Sequence, residues 1–182
     1  MAAERSSSGE RNQNRRCFML TGFDEEERQR LISIINSLRA SYVFDSSNSQ
    51  TFRPICTHVI AKKPCRSEKF LCACASGKWV LKSRYLYDCQ QEKKWLNEEK
   101  YEWGKKLSTK FPKELQEAPR RWRSKLSKED VKFPFENWIV GIYVSKSVTV
   151  YRRLVEVGGG TAVNLRTTKK ESFSHILVEP GQ

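Results

Sequence analysis

The residues of this 182-residue chain best suited to chemistry are cationic, aromatic and sulfur-bearing. Arg120, Arg121, Arg123, Lys125 and Lys128 interleave with Trp122. Basic groups at that density can follow phosphates while an aromatic ring stacks on a base, which makes Arg120, Arg121, Trp122 and Arg123 the candidate nucleic-acid contacts. The same run also suits a solvated connector, or part of a nuclear-import signal. A formal net charge of +13 attracts anions generally, whether phosphopeptides, acidic tails or DNA and RNA backbones, and does not choose among them.

Six cysteines, Cys17, Cys56, Cys65, Cys72, Cys74 and Cys89, form the second reactive set. They would suit a disulfide framework in an exported chain. Met1 to Arg16, however, is rich in Ser, Arg, Asn and Glu and lacks the apolar stretch of an export signal, so reduced thiols in an intracellular protein are expected. Cys72 and Cys74 are too closely spaced for a zinc pair, no CxxC exists and no nearby His completes a ligand set, so neither a metal nor another cofactor is implied. His58 and His175 have no nucleophile or metal signature beside them; each is expected to hold the fold through a hydrogen bond. With no P-loop and no GxSxG, the chain reads as a binding module rather than an enzyme. Nor is there a run of about 18 apolar residues to suggest a membrane span.

At 38% hydrophobic and 30% charged residues, the chain can bury one core or two small ones. Residues 1–15 read as a disordered tail. Cys17 to Phe23 is expected as a buried strand ending in a glycine turn, followed by an acid-led helix with Leu31, Ile34, Ile35 and Leu38 at helical spacing. Tyr42 to Phe44 and Thr57 to Ala61 are expected as strands. A helix from about Ser67, stopped by Gly77, follows, then a strand at Lys78 to Leu81 and a last helix at Ser83 to Gln91. Strands alternating with helices predict an α/β unit, a small parallel four-stranded sheet flanked by helices, over residues 16–103. Residues 104–136 read as a basic connector, in part helical. Over residues 137–182 a strand, helix, strand, strand order returns and then stops, with Ser174 to Leu177 echoing Thr57 to Ile60.

Three of these features together resemble the BRCT family: a first strand ending in Thr21-Gly22, the Thr-His-hydrophobic strand at Thr57 to Ile60, and Gly77-Lys78-Trp79-Val80 entering the fourth strand. The likeness covers residues 17–103 and, more weakly, 137–179, which would then be a truncated second repeat. Within the family, Ser67 to Leu71, Gly77 to Val80, Tyr101 to Gly104 and Ala118 to Arg123 are similar to the N-terminal region of factors that localise the structural-maintenance-of-chromosomes five/six complex to DNA lesions. Those factors carry ankyrin repeats further along, and this sequence contains none.

The resemblance implies a nuclear adaptor of the DNA-damage response that binds phosphopeptides. Its phosphate ligands would be Thr21, Gly22 and Lys69, with Arg66 toward the peptide backbone. A hydroxyl and a backbone N–H can donate to phosphate oxygens, and an ammonium near a helix N-terminus adds charge where the dipole already favours an anion. Each residue also has a plain role available: Thr21-Gly22 as a turn, Lys69 as a solvated helix residue, Arg66 as a loop charge. The implied partners are a phosphorylated nuclear repair protein, such as a ubiquitin ligase of post-replication repair, and the five/six complex. A basic DNA- or RNA-binding module is the alternative function.

Overall fold

A computed structural model describes residues 16–42, 51–128, 130–165 and 173–179. The tail at residues 1–15 lies outside them, as do Val43 and Phe44 of the expected second strand. Strand β1 (Cys17–Thr21) is buried along its whole length, as its unbroken apolar run requires of a central parallel strand. Helix α1 (Glu25–Ser37) starts where the Asp24 carboxylate accepts the Glu27 N–H at 2.9 Å. The short β2 (Ser41–Tyr42) follows, then β3 (His58–Ala61), α2 (Glu68–Ala75), β4 (Trp79–Leu81) and α3 (Arg84–Glu92). The four strands form one parallel sheet in the order β2-β1-β3-β4.

Alternation along β1 divides the core into two layers. Phe18 and Leu20 join Leu31, Ile35, Ile60, Tyr85 and Leu86 beneath α1 and α3. Met19 turns to the other face and packs with Val59, Phe70, Cys72, Ala73 and Val80 beneath α2. The chain returns to the sheet after α3 and completes the first unit. Lys82 donates its backbone N–H to the Tyr101 carbonyl, and Trp103 donates to Val80, so residues 101–103 cover the outer edge of β4.

Helix α4 (Lys113–Leu126) is the helical part of the expected connector and packs on α2 and β4. Its last residue, Leu126, lies so close to Gly77 that a Cβ there would sit 3.1 Å from the leucine side chain; Gly77 also has φ +65°. The second unit consists of β5 (Ile139–Tyr143), α5 (Val148–Val157), β6 (Thr161–Asn164) and β7 (His175–Val178), in a three-stranded parallel sheet of order β6-β5-β7. Val140, Ile142, Val144 and Val155 make its small core. On the face away from α5, Ile176 is 59% exposed and Val178 49%. None of the described helices is long and apolar enough to cross a membrane.

The two histidines occupy equivalent joints. Thr57 Oγ1 accepts from Cys17 N at 2.8 Å and lies 2.7 Å from His58 Nδ1. Ser174 Oγ likewise accepts from Ile139 N at 2.8 Å and lies 2.9 Å from His175 Nδ1. In each unit a hydroxyl side chain thus ties the third strand to the first and orients the following imidazole. His175 stacks on Trp138 with ring centres 3.5 Å apart.

His58 is buried between Phe18 and Tyr85, with Nε2 facing Glu98 Oε1 at 3.4 Å, a contact too long and poorly aligned for a good hydrogen bond. Arg16 donates to the same carboxylate at 2.9 Å and lies over the Trp95 ring. Burial pushes the His58 pKa below its ordinary 6.5 against the pull of Glu98. Burial alone would raise Glu98, but the His58 ring, its own backbone amide and Arg16 hold it at about 2. Both shifts are downward, so the unfolded chain binds more protons than the folded one. Stability should therefore fall as pH drops below about 6.5, where unfolded histidine protonates, and decline further as Glu98 is titrated toward pH 2. Thermal melts across this range check the trend, and His58→Gln should flatten its upper part; a melting temperature independent of pH would contradict the assignment.

Candidate functional site

The end of β1 and the start of α2 meet at one corner of the first unit. Ser67 begins α2 as its N-cap, with Oγ accepting the Phe70 N–H at 3.3 Å. That oxygen also lies 2.9 Å from Thr21 Oγ1, so the two hydroxyls form a pair across the strand end. Lys69 follows in the first turn of the helix and is only 2% exposed. Its ammonium donates to the Leu20 carbonyl at 3.3 Å, immediately before Thr21 in the chain. A buried ammonium is costly without such acceptors, so this bond fixes where the charge sits.

Gly22 then leaves the strand with φ +79°, a left-handed conformation that glycine adopts without strain. Its backbone is exposed. Three expected phosphate ligands, Thr21, Gly22 and Lys69, are therefore gathered at one strand end. Arg66 is exposed, and among the described residues no hydrogen bond or ion pair joins it to them. Beside the corner, the Lys62 ammonium is paired with Asp24 and Glu27 at the start of α1. Ser67 is the participant that sequence reasoning missed. The available signal was a hydroxyl residue two places before Lys69, at the position where a helix N-cap is expected.

The thiols have a different character. All six cysteines are free, and burial pushes Cys56 and Cys72 up to about 12. Cys56 and Cys72 are therefore protonated near neutral pH and pack as small apolar groups, without the thiolate character that reactive cysteines need.

A model of the BRCT domain of Regulator of Ty1 transposition protein 107 matches residues 2–103. The chain belongs to the BRCT family. SMC5-SMC6 complex localization factor protein 1 from Homo sapiens is 32% identical over 162 residues, 87% of this chain, and the Mus musculus protein is 33% identical over the same length. The chain spans 15% of the length of these relatives. Among solved structures, the BRCT5-BRCT6 domains of S. pombe Brc1 align with a TM-score of 0.56 at 25% identity, covering 83% of this chain and 66% of that one.

In this BRCT chain α2 also joins the two units. Leu154 and Val157 of α5 pack onto the apolar layer of α2, as do Leu115 and Ala118 of α4. Glu68, buried in the first turn of α2, accepts the Phe52 N–H at 2.7 Å and pairs with Arg153 of α5. The phosphate-ligand candidate and the inter-unit ion pair are thus consecutive residues.

The expected nucleic-acid set is split by α4. Arg120 and Arg121 are exposed, and Trp122 is partly buried with the Lys125 ammonium 5.2 Å from its ring centre. Arg123 departs from the expectation: it faces inward, donating to both Glu102 carboxylate oxygens at 2.6 and 2.8 Å while lying 3.7 Å over Trp79. It supports the fold and is not a solvent-facing contact, because Glu102, 1% exposed, would otherwise be a buried unpaired charge. Arg123→Ala should destabilise the protein by about 3 kcal/mol. Urea denaturation of Arg123→Ala, Glu102→Gln and the double variant checks this, since a buried pair must show strong non-additivity and independent effects would refute the pairing.

Proposed function

We propose that this chain is a protein-interaction module that binds a phosphorylated segment of a nuclear genome-maintenance protein, acting as an adaptor and not as an enzyme. The observation carrying this reading is the Lys69 ammonium bonded to the Leu20 carbonyl, next to the Thr21–Ser67 hydroxyl pair and the exposed Gly22 backbone. A phosphate at that corner would receive a hydroxyl, a backbone N–H and a cation at the N-terminus of α2, a set of donors suited to a doubly charged anion. Ser67 would act by orienting Thr21: while its oxygen accepts from Phe70, its own proton is free to point at Thr21, leaving the threonine proton for the ligand.

Similarity to the SMC5-SMC6 localization factors supports a role at that complex in DNA repair, with the nucleus as the place of action. Arg66, exposed and next to Ser67, is the side chain available to the peptide backbone flanking the phosphate.

Fluorescence titration with matched phosphorylated and unphosphorylated peptide libraries tests the proposal. Phosphorylated members should bind selectively. Thr21→Ala and Lys69→Met should each weaken binding by about tenfold to a hundredfold, the worth of a hydrogen bond to a charged group. Lys69→Met keeps the buried stem, so melting curves separate lost recognition from lost folding. Equal binding of both peptide forms, or unchanged affinity in a folded Lys69→Met protein, would overturn the reading.

A further inference from the structure

A cluster of cationic side chains lies on and beside α4, away from the strand-end corner. Gly104, Arg120, Arg121 and Ser124, with Glu117, line a shallow depression of about 290 Å³. Gly104 makes it: with φ +98°, it brings the chain so close to α4 that a Cβ would sit 2.9 Å from the Gln116 carbonyl oxygen. Gln116, 1% exposed, fixes the loop that follows. Its Oε1 accepts the Ser108 N–H at 2.8 Å, and its Nε2 donates to the Ser108 and Phe111 carbonyls at 2.7 and 2.8 Å. The loop carrying Lys105, Lys106 and Lys110 is thereby held against the helix carrying Arg120 and Arg121.

Among the described residues, these five cations form no side-chain ion pair, whereas Glu117 has Lys113 4.0 Å away. Two unpaired guanidinium groups, a serine hydroxyl and a close backbone turn, with three lysines nearby, provide the donors that a phosphate oxyanion requires.

We propose that this depression and its surrounding lysines bind the backbone phosphates of duplex DNA. A folded protein partner would need an apolar or aromatic anchor at the centre of its interface, and Leu107 is the only large hydrophobic side chain exposed among the described residues 104–128. Single strands would need a stacking platform, and the ring of Trp122 is partly buried and approached by Lys125. A duplex needs neither. Its backbone presents charge so densely that dispersed lysines and arginines find phosphates without matched spacing. The site reads no base sequence, and its grip weakens with salt. It is independent of the phosphopeptide reading.

The full chain, titrated into a labelled mixed-sequence duplex at salt concentrations from about 50 to about 200 mM, should show a steep linear fall of log affinity with log salt. The double variant Arg120→Gln, Arg121→Gln should reduce that slope by about two and weaken low-salt binding by tenfold or more. Its melting temperature should not change, because both side chains are exposed. Thr21→Ala should bind the duplex like the parent. No duplex binding at low salt, an unchanged slope in the double variant, or tighter binding of a single strand of equal length would overturn the proposal. So would a phosphopeptide whose binding depends on Arg120 and Arg121 and displaces the duplex.

Discussion

Helix α2 is enclosed on nearly every side, by the first sheet, by α4 and by α5, and the rest of the molecule is arranged around that constraint. Most of its side chains are buried, including two charged ones in its first turn. Charges so placed must find partners. Lys69 reaches the end of β1, and Glu68 reaches Phe52 and Arg153. The position of the candidate phosphate site and the seam between the two units therefore follow from one packing requirement. A helix with only one buried face would have left Lys69 in solvent, where its ammonium would have no fixed location.

The same requirement shows which parts of the fold were legible in the sequence. Apolar runs such as Cys17 to Leu20 and Val59 to Ala61, the helical spacing of Leu31, Ile34 and Ile35, and the stop at Gly77 are local signals and correspond to elements seen here. The α/β class follows from their alternation. What local pattern could not convey was partnership. Residues 113–126 are highly charged, with Pro119 in their midst, and their spacing looked irregular because Gln116 and Arg123 put polar groups on the helix's inward face. Gln116 and Arg123 are satisfied by a loop and by Glu102, groups that the sequence does not place nearby. Ser67 was hidden for a similar reason: its capping role is local, but its contact with Thr21 spans the fold.

The repeated hydroxyl-histidine joint is a further case where sequence and structure meet. Thr57-His58 and Ser174-His175 differ in the hydroxyl residue, yet each bridges the third strand of its unit to the first. The histidines then diverge with their surroundings. His58 is sealed within an aromatic cluster facing Glu98, whereas His175 lies exposed against Trp138. One backbone device thus stands in two electrostatic settings, and burial ties the His58 copy to protons.

The contact between α5 and α2 also imposes an order on local opening. Val155 is the one buried residue of α5, and Leu154 and Val157 lean on the layer of the neighbouring unit. When α2 detaches, α5 loses the apolar layer under Leu154 and Val157 and keeps only its own small core, whereas the smaller unit can open with the Phe18 and Leu20 layer beneath α1 and α3 still closed. Opening of α2 therefore lowers the protection of the β5, β6 and β7 amides against solvent exchange, while the Phe18 layer does not depend on the smaller unit.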